Sequence, residues 1–89
     1  MPTIHLLIKG KVQGVFYRAN AKKMADEYGV TGWVQNTKDD CVEMVASGSQ
    51  QALQQFEEWC RKGPTRARVT DVIRTEKEEQ LFKEFKINR

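Results

Sequence analysis

Histidine and cysteine are scarce in this sequence. Its 89 residues include one histidine, His5, and two cysteines, Cys41 and Cys60. His5 stands alone in a strand-like segment and is expected at a surface or edge position. The cysteines lie 19 positions apart, with no Cys-x-x-Cys and no histidine beside them, so no metal site is expected. They read as reduced thiols of a cytoplasmic chain, a disulfide between them being the alternative. No apolar run approaches the roughly 18 residues of a membrane-crossing helix. Met1-Pro2-Thr3-Ile4-His5 lacks the basic segment and apolar stretch of a secretory leader, which makes the cytoplasm the expected location. Charge of one sign is lacking too. The net charge is +3, and basic residues alternate with acids, as in Arg66-Ala67-Arg68 before Asp71 or Lys77 before Glu78 and Glu79. That pattern predicts a mixed solvated surface and no nucleic-acid partner. With no repeat, low-complexity tract or linker, residues 1–89 read as a single domain, and a monomer is expected.

What is present divides into short elements. Residues 3–9 alternate, with Ile4, Leu6 and Ile8 on one side, which predicts a strand with one buried face. Gly10 and Gly14 punctuate a loop after it. Tyr17, Ala21, Met24, Ala25 and Tyr28 then follow a helical period, and Gly29 supplies a terminator. Residues 30–37 are rich in strand formers, Lys38-Asp39-Asp40 reads as a turn, and residues 41–46 alternate again, so this stretch predicts a β-hairpin. Ser49 is a candidate N-cap for a second helix with the stripe Ala52, Leu53, Phe56, Trp59 and Cys60, ended by Gly63-Pro64. Residues 66–75 read as a strand whose broken alternation suggests a bulge, and Phe85 and Ile87 mark a last strand. The order β-α-β-β-α-β predicts an α+β fold, the ferredoxin-like split β-α-β sandwich, with two helices on one face of a four-stranded antiparallel sheet. That fold hosts many functions and selects none.

The chemistry is concentrated where the first strand enters the first helix. Glycines permit backbone N–H groups to converge on a point, and a helix start adds unpaired N–H groups and a positive dipole end. Such a loop is an anion cradle. Arg18 falls in the first helical turn, where a cation opposes the dipole at a cost of about 0.3–1 kcal/mol. An anion shared between Arg18 and the loop amides removes that conflict, and guanidinium matches phosphate through parallel hydrogen bonds. A solvent-facing arginine that escapes the helix end is the equal alternative on this loop alone.

Two segments carry a resemblance. Gly10-x-Val12-Gln13-Gly14-Val15-x-Tyr17-Arg18 resembles the first signature of the acylphosphatase family, and Gly32-Trp33-Val34-Gln35-Asn36, followed by Val42 and Gly48, is similar to its second. The resemblance extends over essentially the whole chain. It implies that Arg18 binds the substrate's phosphate. It also implies that backbone N–H groups of Gln13, Gly14, Val15, Phe16, Tyr17 and Arg18 complete the cradle, and that Asn36 orients the attacking water. The implied fold is again the ferredoxin-like sandwich, the implied substrates are carboxylic–phosphoric mixed anhydrides, and no metal or other cofactor is implied. The sequence departs from the pattern at Asp40, where the family has a turn glycine, at Cys41, and at Tyr17, where phenylalanine is the common choice. Phe16 occupies a variable position.

A carboxylate leaving group, whose conjugate acid has a pKa of about 4, needs no general acid. That accounts for the missing His, Cys or paired-carboxylate constellation. The competing expectation is a catalytically inactive ferredoxin-like module that binds phosphate or RNA. His5, Leu7 and Lys9 with Cys41, Glu43 and Val45 on the outward face supply no aromatic platform for bases.

Overall fold

Alternation and helical period both resolve into one layered unit. The computed structural model describes residues 1–88; Arg89, the last residue of the expected 1–89 domain, lies outside the described residues. Along the chain run β1 (Thr3–Lys11), α1 (Tyr17–Tyr28), β2 (Thr31–Asn36), β3 (Val42–Ser47), α2 (Gln50–Lys62), β4 (Arg68–Lys77) and β5 (Phe85–Ile87). The sheet order is β4-β1-β3-β2-β5. β3 runs antiparallel to both β1 and β2, so β1 and β2 point the same way with β3 between them, which is the split β-α-β arrangement.

The core forms where the expected stripes meet. Ile4, Leu6 and Ile8 of β1 and Val42, Met44 and Ala46 of β3 are fully buried beneath Tyr17, Ala21 and Ala25 of α1 and Leu53, Phe56 and Cys60 of α2. Each large apolar side chain so buried contributes about 1.5–3 kcal/mol. Helix boundaries follow local chemistry. Ser49 Oγ accepts from the Ala52 amide at 3.1 Å to cap α2, and Gly29 and Gly63 end the two helices.

Two expectations are corrected, and one is narrowed. The sheet has five strands and is mixed, because Phe85–Ile87 adds to the free edge of β2 and runs parallel to it. Pairing with an open edge across a long crossing from β4 leaves no trace in a three-residue pattern. Of the two positions expected for His5, surface or edge, the structure has the surface: its strand lies between β4 and β3, and its Nε2 lies 2.8 Å from Glu43 Oε2 on the open face. Gly10 belongs to β1 and not to the loop. A Cβ there would stand 2.1 Å from the Arg68 carbonyl oxygen, so its missing side chain admits the backbone of β4. The bulge expected in the fourth strand lies opposite this point: Lys9 pairs with Asp71 and Gly10 with Val69, leaving Thr70 as the extra residue.

Candidate active site

Topology brings the site together. β1, β2 and β5 run in one direction, so their carboxyl ends emerge on the same side of the molecule. Ile8 and Asn36 both pair with Val42, one on either side of β3. The loop leaving β1 therefore passes beside the end of β2. A cavity of about 410 Å³ opens there, lined by Val12, Gly14, Phe16, Tyr17, Arg18, Ala19, Asn36 and Ile87.

The loop has the geometry of a cradle. Gly14 (φ 72°) and Phe16 (φ 63°) are both left-handed, and nothing lies within 4 Å of where a Cβ on Gly14 would stand. Phe16 is the N-cap of α1, and no side chain caps that helix. Among the described residues, no hydrogen bond takes the amide N–H of Gly14, Val15 or Phe16. The first turn of α1 contains no acid, and Arg18 stands in it against the dipole. Its Nη1 reaches the Asn88 carbonyl oxygen only at 3.4 Å, a weak contact that leaves the guanidinium able to serve a ligand.

Asn36 ends β2, and its Oδ1 is buried with no hydrogen-bond partner among the described residues. A buried acceptor left unpaired costs about 1–3 kcal/mol, so one in a native site calls for a reason.

Of the residues expected in the cradle, Gly14, Phe16, Tyr17 and Arg18 line the cavity with Asn36; Gln13 and Val15 do not. Val15 is buried in the core. The Gln13 side chain turns to the hairpin, where its Nε2 donates to the carbonyl oxygens of Thr37 (2.9 Å) and Cys41 (2.8 Å). It straps the cradle loop to the turn that follows Asn36, a role its place among glycines did not signal. Ile87 and Ala19 also line the cavity without having been expected there.

Residues 4–87 match the sequence model of the acylphosphatase family. The chain belongs to the acylphosphatase family. An acylphosphatase of Methylococcus capsulatus is 49% identical over 72 residues, 81% of this chain and 78% of that protein. Among solved structures, an acylphosphatase from Bacillus subtilis superposes with a TM-score of 0.96 at 34% identity, covering 100% of both chains. One from Coxiella burnetii superposes with a TM-score of 0.94 at 37% identity, covering 98% of this chain and 92% of that one. The chain is thus an enzyme that hydrolyses acyl phosphates, small molecules, to a carboxylate and inorganic phosphate.

The departures from the family pattern have structural consequences of their own. Asp40 adopts the left-handed conformation (φ 65°) that the family's turn glycine takes without strain. Thr37 N–H donates to the Cys41 carbonyl oxygen at 2.9 Å and closes the turn around it. Cys41 and Cys60 are both free and buried. The Tyr17 hydroxyl donates to the Cys60 carbonyl oxygen at 2.6 Å. That carbonyl belongs to the last turn of α2, where no intrahelical donor is available. The hydroxyl that phenylalanine lacks therefore ties the start of α1 to the end of α2. Burial, with the nearby Cys60, pushes the Tyr17 phenol far above its ordinary range, so it stays a neutral donor.

Proposed function

We propose that Arg18 and the backbone amides of Gln13 to Arg18 hold the phosphoryl group of the acyl phosphate, and that Asn36 orients the attacking water, without a metal ion. One observation carries this reading. Arg18 on α1 and Asn36 on β2 line the same cavity, and the Asn36 Oδ1 has no hydrogen-bond partner among the described residues. A water placed there gives a hydrogen bond to that oxygen, and the amide holds its line of approach.

The reaction is then positioning plus electrostatics. Charge gathers on the three equatorial oxygens of the transferring phosphoryl group, and fixed donors stabilise it. The guanidinium supplies two parallel N–H groups, and the loop amides supply the rest. The departing carboxylate leaves as an anion. Among the described residues that line the cavity none is a carboxylate, imidazole or thiol, which supports transfer of the water's proton to a phosphate oxygen. A phosphate monoester, which must expel an alkoxide, is a poor substrate for such a site.

We also infer that the chain acts as a monomeric single domain over 1–89 in the cytoplasm, with no nucleic-acid partner. In support, no described helix is long and apolar enough to cross a membrane. Hydrolysis of acetyl phosphate in the presence of EDTA tests the site. Wild-type activity is expected to survive the chelator, and Arg18→Gln is expected to lose at least about 100-fold, the scale of removing one transition-state donor. Full activity in Arg18→Gln overturns the assignment, and loss of wild-type activity to EDTA overturns metal independence.

A further inference from the structure

Phe16 contradicts two rules at once. It is a large aromatic residue 71% exposed to solvent, and its backbone is left-handed (φ 63°, ψ 25°), a conformation costly for any bulky L-residue. Glycine would take this N-cap position without strain, and a polar residue would cap the helix. The backbone beneath the ring is held firmly: the Asn20 amide N–H and Nδ2 both donate to the Phe16 carbonyl oxygen, at 3.1 and 2.9 Å. Strain maintained at a rigid, exposed point beside a cavity marks a functional position.

The ring's surroundings say which function. Phe16 lines the cavity that holds Arg18 and Asn36, and it also lines the neighbouring concavity formed with Val15, Asn20, Pro64 and Arg66. It is the wall between them. The cavity itself has two chemistries. Arg18 and Asn36 are polar, whereas Val12, Ala19, Ile87 and Phe16 are apolar. At about 410 Å³ it also falls in the size range of small-molecule pockets, larger than a phosphoryl group alone needs. Once the phosphoryl group sits in the loop, the acyl group must leave the cradle past the residues at its lip.

We propose that Phe16 is a specificity-determining residue that packs against the acyl group, and that the enzyme favours acyl phosphates with an aromatic or extended apolar acyl group over those with a short one. The proposal rests on the reading that Arg18 and the loop amides hold the phosphoryl end. A ring stacked on an aromatic acyl group gains a contact that acetyl cannot make, and one such contact corresponds to a discrimination of roughly five- to tenfold.

The test is the ratio of kcat/KM for benzoyl phosphate to that for acetyl phosphate, measured in wild type, Phe16→Asn and Phe16→Tyr. Comparing the ratio between variants cancels the difference in intrinsic reactivity of the two substrates. Asparagine tolerates the left-handed backbone and removes the ring; tyrosine keeps the ring. The ratio is expected to fall about five- to tenfold in Phe16→Asn and to stay within twofold of wild type in Phe16→Tyr. An unchanged ratio in Phe16→Asn, or an equal loss on both substrates, overturns the proposal. Phe16→Gly repeats the comparison with a residue suited to the backbone, so a folding defect in Phe16→Asn does not decide the outcome. Acetyl phosphate hydrolysis by Arg18→Gln reports separately on the phosphoryl site, so failure of that reading is distinct from failure of this one.

Discussion

Replacing Asn36 by leucine should separate activity from stability. The side chain is nearly isosteric, and the Asn36 Oδ1 has no hydrogen-bond partner to lose among the described residues. Where a buried acceptor is unpaired, its removal relieves a penalty of about 1–3 kcal/mol. A bound water recovers most of that penalty in the wild type, at an ordering cost of up to about 2 kcal/mol. The net effect of Asn36→Leu on unfolding free energy is therefore between no change and a gain of about 1 kcal/mol, worth about 4–8 °C in a domain of this size. Catalysis should move the other way. Losing the group that orients the water costs at least about 100-fold in kcat, roughly 2.7 kcal/mol of barrier. Urea denaturation and steady-state hydrolysis of an acyl phosphate, on the same preparation, give both numbers. If stability falls by more than about 1 kcal/mol along with activity, Asn36 is a structural residue. If activity persists, another group holds the water. Either result defeats the reasoning.

Gln13→Ala removes two half-buried hydrogen bonds, at 2.9 and 2.8 Å, that strap the cradle to the Thr37–Cys41 turn. We expect a loss of about 1–2 kcal/mol in urea unfolding and a lower kcat, because Asn36 is no longer held in register with Arg18. Tyr17→Phe, a change toward the family's common residue, strands the buried Cys60 carbonyl and should cost about 1–3 kcal/mol in thermal or urea unfolding. The His5 hydrogen bond, and next the Gln35 bond, hold the Glu43 carboxyl below its usual range. Its contribution to stability is complete above the unfolded value of about 4.3 and is lost as pH falls through the lower folded value, so Glu43→Gln should flatten the stability–pH curve in that acid limb.

The elements were legible because each buries one regular stripe. Ile4, Leu6 and Ile8 alternate without interruption, and Leu53, Phe56 and Cys60 keep a helical period, so local pattern and final burial agree. The fifth strand was half legible. Phe85 and Ile87 announced a strand, yet its parallel pairing with β2 depends on where the 78–84 connection crosses, which no local pattern encodes. Gly10 misled for a related reason. A glycine serves a turn or a close backbone approach with the same letter, and only the position of Arg68 on β4 decides between them. In the site, Arg18 was conspicuous because a cation in the first helical turn opposes the dipole. Gln13 was not, since a long amide side chain signals nothing until its two acceptors, 24 and 28 positions away, are in place.

Three of the residues that line the cavity share a property that the buried stripes of the core lack. Arg18 stands at the unfavourable end of a helix, Phe16 holds a left-handed backbone, and Asn36 buries an unpaired oxygen. Each is locally unfavourable, and two of the features are ones that a phosphoryl ligand or a water would relieve: a counter-charge for Arg18 and a donor for Asn36. Residues selected only for folding would remove these features at little cost, with an acid or Ser at the helix start and glycine at position 16. Their coincidence at one cavity, beneath strands whose packing is otherwise consistent, is therefore itself an argument that the cavity was shaped by a ligand. It also implies a direction for engineering. Substitutions that relieve these features are expected to stabilise the chain and to lower its activity.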